Sequence, residues 1–144
     1  FINMKLFLDN IQKTYNSNEW EIPKGRRKKY ENNRDCAIRE FKEETNISHD
    51  IYSLYKNIVP ITEEYTSING VRYKHVYYIG FINKDIKLFI DKENKDQYTE
   101  VKKVEWCSKD ECIEKIRDYD ETKKKIIEIF FDFLDNHKKY ITFE

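Results

Sequence analysis

The sequence predicts an α+β fold, because stretches with helical spacing occur along the chain together with stretches typical of strands. A helix is predicted over about residues 34–45. A second helix near the C-terminus has apolar residues on one face: Ile126, Ile127, Phe130, Phe133 and Leu134. Between them, Asn69-Gly70 separates two β-rich runs, roughly 58–67 and 71–82, which indicates a hairpin. A chain of 144 residues is long enough for one domain with a core.

The remaining elements are short. Residues 2–14 have apolar side chains at helical spacing and predict a helix, and residues 20–23 predict a short strand. Further strands are expected near 86–90 and 100–106. Ser108 and Glu111 have the spacing of a capping box, which predicts a helix that runs to about Asp118.

The composition excludes some function classes. Charged residues make up 38% of the chain and the formal net charge is zero, which argues against a nucleic-acid binder that relies on its overall charge. The sequence does contain one local basic run, formed by Arg26, Arg27, Lys28 and Lys29. This run could face phosphates or could be a solvated loop.

The cysteines and the lengths of the apolar runs indicate in which cellular compartment the protein is expected. Three cysteines without C-x-x-C spacing do not predict a disulfide framework, and a reducing intracellular compartment fits them. No apolar run is long enough to predict a membrane span, and no signal peptide is visible in the sequence. The histidines are scattered and lack metal-ligand spacing. We therefore expect no membrane partner.

Three glutamates on the helix predicted over residues 34–45 form a candidate metal site. Glu40, Glu43 and Glu44 are at positions i, i+3 and i+4, so a helix places them on one side. Carboxylates this close repel one another unless a cation lies between them, and oxygen ligands of this kind suit Mg²⁺ or Mn²⁺. The alternative is an ordinary solvated acidic face. Asn32 or Asn33 can cap the start of the helix, and Asn46 can adopt the left-handed conformation after its end.

Residues 25–47 resemble the Nudix box. They read G-x5-E-x7-R-E-U-x-E-E-x-N-U, where U is apolar, and the usual box has Gly where Asn46 stands. The resemblance implies an α/β/α sandwich with a mixed sheet and a pyrophosphohydrolase that requires Mg²⁺ or Mn²⁺. It implies that Glu40, Glu43 and Glu44 bind the metal, with Glu44 the central ligand.

The resemblance also implies roles for the residues around the metal ligands. Arg39 is the structural arginine that pairs with Glu31, and Gly25 is the loop glycine that can approach the metal site. Lys24 precedes that glycine, where substrate phosphate is expected, although a solvated surface lysine is the alternative.

Flanking segments resemble the mRNA-decapping Nudix enzymes of large DNA viruses such as asfarviruses, mimiviruses and poxviruses. These segments are residues 20–25 with 36–41, residues 73–77 and residues 100–106. The resemblance implies hydrolysis of the 5′ cap of mRNA to methylated GDP and 5′-monophosphate RNA, in the host cytoplasm or the virion. Alternatives are a phosphohydrolase of diphosphoinositol or dinucleoside polyphosphates and a non-catalytic Nudix-like binding module.

The catalytic carboxylates and the cap-binding rings are less well defined by the sequence. Glu40, Glu44 and Glu100 are the candidate catalytic carboxylates, and Glu100 is expected at the start of a strand as the base or a further ligand. Glu63 and Glu93 are weaker candidates. Aromatic rings suit the positively charged methylguanine. The tyrosines considered for this are Tyr65, Tyr73 and Tyr98, and the favoured alternative for each is an ordinary core or surface residue.

The domain prediction assigns residues 1–18 to a helical segment and residues 19–144 to the Nudix domain. Strands normally precede the box in this fold, whereas the residues before Trp20 have helical spacing. We therefore expect the chain to be a C-terminal portion of a longer protein that lacks its first strands here, with Met4 as an internal start the other interpretation.

Overall fold

A computed structural model describes residues 17–137, so the predicted helix over residues 2–14 lies outside the described residues. The helices within this part are α1 (Asn33–Thr45), α2 (Lys95–Glu100), α3 (Lys109–Lys115) and α4 (Glu121–His137). The strands are β1 (Tyr52–Leu54), β2 (Ile61–Thr66), β3 (Arg72–Tyr77) and β4 (Gly80–Ile82). The α+β class is confirmed.

Helix α1 begins and ends on asparagines, as predicted. The side chain of Asn32 accepts a hydrogen bond of 2.9 Å from the backbone N–H of Asp35, which satisfies one of the amides left unpaired at a helix start. At the other end Asn46 has a left-handed backbone with φ of 59°, and its N–H bonds to the carbonyl of Lys42. Asparagine tolerates this conformation better than most residues, so it can replace the usual glycine.

The strands form two antiparallel pairs, which follow each other along one two-stranded ribbon. β1 pairs with β4 in the register Tyr52↔Ile82, and β2 pairs with β3 in the register Ile61↔Tyr77. A hydrogen bond from Tyr55 N–H to the Ile79 carbonyl lies between the two pairs. The predicted hairpin is confirmed, with Gly70 at φ of 78° in its turn. A mixed sheet was predicted, whereas both strand pairs within residues 17–137 are antiparallel.

Three predicted strands are absent from the described part of the chain: residues 20–23, 86–90 and 100–106. In residues 86–90, side chains form hydrogen bonds with backbone carbonyls that would otherwise pair with a neighbouring strand. The carbonyl of Ile86 accepts from the Trp106 indole, and that of Phe89 accepts from the Gln97 amide. Residues 95–100 form α2 instead of leading into a strand, because the Asn94 side chain caps a helix there. Apolar composition alone did not reveal these competing bonds.

Helix α4 packs against β2 and against α3. The capping box predicted at Ser108 and Glu111 is confirmed, although α3 ends at Lys115 rather than Asp118 because Ile116 is extended. Ile126 and Ile127 of α4 are buried, and the Phe133 ring lies 5.9 Å from that of Tyr55. Among the helices of residues 17–137, none combines the length and the apolar character that crossing a membrane requires.

Candidate functional site

The loop before α1 lies directly against the first glutamate of the acidic side. A Cβ atom on Gly25 would overlap the carboxyl group of Glu40. Any other residue at position 25 would therefore require the Glu40 side chain to move. Glu40 is only 9% exposed. The Cys36 thiol donates to the Gly25 carbonyl at 3.6 Å. The glycine therefore allows the loop backbone and a buried carboxylate to share one small space.

Arg39 connects α1 to this loop. Its Nε donates to one carboxylate oxygen of Glu31 at 2.8 Å and its Nη2 to the other at 2.9 Å. Nη2 also donates to the carbonyl of Arg26 at 3.0 Å. Hydrogen bonds from Arg39, together with one from the backbone N–H of Lys28, lower the pKa of Glu31 to about 2. The contact predicted between Glu31 and Arg39 is thus present, and it is bidentate.

The same guanidinium also binds two glutamates of the acidic side. Arg39 Nη1 is 2.7 Å from Glu40 Oε1 and 2.6 Å from Glu43 Oε2. The ammonium of Lys28 is 3.5 Å from the other oxygen of Glu43. Protein cations therefore compensate the charges of Glu40 and Glu43 in this structure.

Glu44 is held differently, since its carboxylate accepts from the backbone N–H of Lys24 at 3.1 Å. Burial raises the pKa of Glu44 to about 7, and the nearby carboxylates of Glu40 and Glu100 act in the same direction. A buried carboxyl group surrounded by other carboxylates favours its neutral form unless a cation is bound. Of the three glutamates, Glu44 is the one whose environment most favours an added positive charge.

Residues of the Gly25 loop, α1 and α2 line a cleft of about 420 Å³. Its walls combine cations with carboxylates: Lys24, Gly25, Arg26, Lys28, Arg39, Glu40, Glu43, Asp96 and Glu100. The cleft brings Glu100 to the box, as predicted, but from the last turn of α2 rather than from a strand. Asp96 was missed by the sequence analysis. The signal that could have found it is the Asn94 cap, since a helix starting there places Asp96 and Glu100 four residues apart on one side.

The chemistry of the donors suits a hard divalent cation, since carboxylate oxygens are the ligands that Mg²⁺ and Mn²⁺ prefer. As the side chains stand, however, residues 17–137 contain no group of three acidic, histidine or cysteine side chains arranged to hold a metal. The contacts of Arg39 account for this difference, because they orient Glu40 and Glu43 toward the guanidinium. Metal binding at these glutamates would exchange contacts with Arg39 for contacts with the cation.

The basic run is divided between two environments. Arg26 and Lys28 line the cleft, whereas Arg27 lines a larger adjoining groove. Lys29 places its ammonium 4.9 Å above the ring of the exposed Tyr30. The structure thus brings two of the four predicted basic residues to the carboxylates, together with Lys24.

The weaker carboxylate candidates lie outside the cleft lining. Glu63, on β2, accepts from the Tyr77 hydroxyl at 2.9 Å and lies 2.9 Å from His75 Nδ1. Burial, followed by the contact with Glu63, raises the pKa of Tyr77 above its ordinary value. Glu93 is exposed on the turn before α2, where its N–H bonds to Asp91. Neither glutamate is brought to the box.

The candidate aromatic rings occupy different places. Tyr65 and Tyr73 stack across the hairpin, with centroids 5.3 Å apart and planes 15° from parallel. Both line the large groove, which has a volume of about 2230 Å³ and also reaches Glu40, Glu44 and Glu100. Tyr98 is 52% exposed on α2 and does not line either space.

Gln97 is a buried residue that sequence reasoning missed. Its side chain is fully buried, and its amide nitrogen donates to the carbonyls of Glu44 and Phe89 at 3.1 and 3.3 Å. Its amide oxygen accepts from the Asp91 N–H at 2.8 Å. One side chain therefore joins the end of α1 to the segment that carries Glu100. A lone glutamine in a polar stretch offers no pattern that predicts this.

Comparisons with known proteins agree with this geometry. Residues 6–130 match the family model of the NUDIX domain. The chain is 39% identical over 137 residues to a protein of Acanthamoeba polyphaga mimivirus named "Putative mRNA-decapping protein", covering 94% of this chain and 37% of that protein. It is 30% identical over 127 residues to the mRNA-decapping protein g5R of an African swine fever virus isolate from Kenya, covering 84% of this chain and 50% of the relative.

The chain thus spans half or less of the length of these viral relatives. Among solved structures, it is similar to an Ap4A hydrolase of C. elegans, with a TM-score of 0.62 and 24% identity over 85% of this chain and 83% of that one. This likeness concerns the fold. The family match extends over most of the sequence and contains the Gly25 loop, the Glu31–Arg39 pair and the acidic helix. The chain therefore belongs to the Nudix family.

Proposed function

We propose that this chain carries the catalytic Nudix domain of a metal-dependent enzyme that hydrolyses the 5′ cap of mRNA. The products would be methylated GDP and RNA with a 5′-monophosphate. The observation that carries the proposal is the cleft in which Glu40, Glu43 and Glu100 lie beside the Gly25 loop, with Glu44 bonded to the Lys24 N–H next to it. The viral relatives named as mRNA-decapping proteins support capped RNA as the substrate.

Glu40, Glu43 and Glu44 would hold Mg²⁺ or Mn²⁺. A bound divalent ion neutralises charge on a pyrophosphate and lowers the pKa of a coordinated water. Arg39 keeps Glu40 and Glu43 from repelling each other before the metal arrives, since it lies 2.7 Å from one and 2.6 Å from the other. Glu44 is partly withdrawn from solvent and held by the Lys24 N–H, a position that suits the central ligand.

We propose Glu100 as the base that accepts a proton from the attacking water. Its alternative role is to bind the metal ion as a further ligand. It is exposed at the end of α2, lines the same cleft as Glu40 and raises the pKa of Glu44. An exposed carboxylate near the reacting atoms can take a proton and release it to solvent. Glu40 and Glu44 are the alternative acceptors.

Phosphate and RNA would contact the basic side chains around the loop. Lys24, Arg26 and Lys28 line the cleft next to the carboxylates, where their charges can offset those of the triphosphate bridge. Arg27 and Lys29 are exposed beside them, so they are placed for the RNA backbone beyond the cap. Such contacts bind without reading the base sequence.

The large groove offers a place for the methylated guanine. Tyr65 and Tyr73 present a stacked pair of rings to this groove, and a positively charged base favours the face of an aromatic ring. Of the three candidate tyrosines, these two are therefore favoured over Tyr98. A double substitution of Tyr65 and Tyr73 by Ala should raise KM for capped RNA more than it lowers kcat.

The proposal is tested with cap-labelled RNA and Mg²⁺ or Mn²⁺, using this chain and any longer form of the protein that contains it, called the longer polypeptide below. Methylated GDP with 5′-monophosphate RNA is the expected product pair. Methylated GMP as the sole labelled product, or no turnover by the longer polypeptide, would overturn the proposal. Release of orthophosphate from a diphosphoinositol, or cleavage of Ap4A in preference to capped RNA, would indicate the alternative substrates.

The metal role is tested with Glu44→Gln and Glu43→Gln. Each substitution removes one negative charge, so each should lower Mn²⁺ affinity and decrease kcat by at least about 100-fold, while the far-ultraviolet circular dichroism stays that of the parent chain. Glu93→Gln is the matched control because Glu93 is an exposed glutamate outside the cleft. RNA binding without any hydrolysis by the parent chain would favour the binding module.

A further inference from the structure

The segment that leads into the Gly25 loop is held by residues from the opposite end of the chain. Four residues within 17–21 contact residues within 115–123. The Arg117 guanidinium donates to the Ser17 carbonyl, and the Tyr119 hydroxyl donates to Glu19 at 2.8 Å. The Lys115 ammonium lies 4.5 Å from the ring centroid of Trp20. We refer to residues 115–123 as the clasp.

The last contact of the clasp differs from the others because its cation is buried. Lys123, in the first turn of α4, is only 6% exposed. Its ammonium lies 2.8 Å from Glu21 Oε1 and 2.6 Å from Asp120 Oδ2. Burial by itself lowers the pKa of Lys123, but the hydrogen bonds to Asp120 and Glu21 outweigh it and hold the pKa above its ordinary value. The group is a charged, oriented cross-link between α4 and residue 21.

A short path connects this cross-link to the acidic site. Glu21 is three residues before Lys24, whose N–H donates to the half-buried carboxylate of Glu44. The ammonium of Lys24 is also 3.9 Å from Glu21. The next residue, Gly25, has no space to shift toward α1, because the carboxyl group of Glu40 occupies it. Bonds from Cys36 and Arg39 hold the loop carbonyls to α1, and Lys123 adds a contact outside α1 by binding Glu21 just before the loop.

We infer that Lys123 is a positioning residue of the carboxylate site. By binding Glu21 it holds the loop so that the Lys24 N–H meets Glu44 and the Gly25 backbone meets Glu40. The catalytic importance of this positioning rests on the function proposed above. The contacts from Lys123 to Glu21 and from the Lys24 amide to Glu44, by contrast, exist without metal or substrate. Their presence can therefore be measured separately from catalysis.

The matched control is the neighbouring lysine. Lys123→Met removes the buried ammonium and keeps an unbranched apolar stem. Lys124→Met is the corresponding change one residue later, where the ammonium pairs at 3.1 Å with Asp118, whose side chain is 95% exposed. Glu21→Gln weakens the same link from the other side by removing the negative charge at an exposed residue, so it serves if Lys123→Met fails to fold. A Lys123→Met, Glu21→Gln double variant completes a cycle.

The first readout is amide hydrogen exchange at Lys24, measured without metal at a temperature at which every variant is folded. Lys123→Met and Glu21→Gln should each speed exchange at Lys24 by about 10-fold relative to amides within α4, since local opening releases that N–H. Lys124→Met should leave it unchanged. The double variant should match the faster single variant rather than multiply the two effects, because both changes interrupt one link.

The second readout is Mn²⁺ affinity by calorimetry. Lys123→Met and Glu21→Gln should weaken binding by about 10-fold, in the range found when residues that orient metal ligands are removed. Unchanged Lys24 exchange in a folded Lys123→Met or Glu21→Gln variant would overturn the inference, as would multiplicative effects in the double variant. Failure of both the parent chain and any longer form of the protein to cleave capped RNA would overturn the proposed function and leave the exchange comparison decisive for Lys123.

Discussion

Arg39 illustrates how single residues prepare this site. One guanidinium binds Glu31 in a bidentate pair and also contacts Glu40 and Glu43. Three carboxylates close together would otherwise repel one another, so the arginine stabilises the loop and α1 in the same way that a bound cation would. If these glutamates bind the proposed metal ion, Glu40 and Glu43 would exchange contacts with the guanidinium for contacts with the ion.

Gly25 is the residue whose substitution should separate stability from function. In Gly25→Ala the new Cβ would overlap the Glu40 carboxyl group. That group is the end of a flexible side chain, so the free energy of unfolding should fall by only about 1 kcal/mol. The displaced carboxylate should weaken Mn²⁺ binding at least about 10-fold. Calorimetry and thermal unfolding measure the two effects.

Gly70→Ala is the control for this substitution. Gly70 has a positive φ of 78°, and a Cβ atom at this position would have no neighbouring atom within 4 Å, so strain alone should cost about 1 kcal/mol. The Mn²⁺ affinity of this variant should equal that of the parent chain. Equal Mn²⁺ affinities for the two alanine variants would contradict the close approach of Gly25 to Glu40.

The Glu31–Arg39 pair predicts a pH dependence of stability. The pKa of Glu31 is lowered from 4.5 to about 2 in the folded chain. A lowered carboxyl pKa contributes stability that is complete above the unfolded value and is lost as the pH falls toward the folded value. The midpoint of thermal unfolding of the parent chain should therefore exceed that of Glu31→Gln above about pH 5, and the difference should shrink between about pH 4.5 and 2. A difference that stays constant over this interval would contradict the prediction.

At the scale of elements, α1 and α2 are joined by polar groups rather than by an apolar interface. One such polar contact explains why Asn46 can replace the Gly that the Nudix box usually has at this position. Its amide oxygen accepts from the Asn94 side chain at 3.3 Å, so the residue that ends α1 also contacts the residue that caps α2. A glycine would relieve the left-handed backbone but lose this contact. The departure from the family pattern is therefore compensated locally.

Gln97 is the strongest of these connections. Gln97→Leu would leave the Glu44 and Phe89 carbonyls and the Asp91 N–H without their partner. Each buried polar group left unpaired costs about 1–3 kcal/mol, so denaturant titration should show a loss of at least about 3 kcal/mol. Thr99→Leu, on the exposed side of the same helix, should change stability by less than about 0.5 kcal/mol. A Gln97→Leu variant as stable as Thr99→Leu would show that these bonds are replaced by water.

The elements also show where sequence patterns were sufficient. The spacing of α1, both of its asparagine caps, the Asn69-Gly70 turn and the capping box of α3 all depend on residues close together in the chain, and the structure agrees with each. The strands predicted at residues 86–90 and 100–106 depended on apolar composition. Backbone carbonyls of residues 86 and 89 bond instead to side chains further along the chain, those of Trp106 and Gln97, and no local pattern reports such partners.

For the whole molecule, the zero net charge sets an expectation for RNA binding. Long-range attraction to RNA should be small, so affinity should depend on the basic residues near the cleft. Four basic side chains in residues 26–29 would give a slope of log affinity against log salt no steeper than about 3, since each contact with a single strand adds about 0.7. Filter binding of uncapped RNA between about 50 and 200 mM salt measures this slope. Replacing all four residues by Ala should remove most of the slope, and a slope that survives this replacement would place the RNA elsewhere.

The sequence by itself determined the family and the residues that α1 presents, because the Nudix box is a local pattern of spacing that a single helix and its loop translate into geometry. It also predicted the contact between Glu31 and Arg39, which are only 8 residues apart in the chain. Only the tertiary structure decided that Glu100 reaches the cleft from a helix, that Gln97 joins the two helices and that Lys123 holds the loop from the far end of the chain. The contacts of Gln97 with Glu44 and of Lys123 with Glu21 join residues 53 and 102 positions apart, and their partners are set by packing rather than by any periodicity of the sequence.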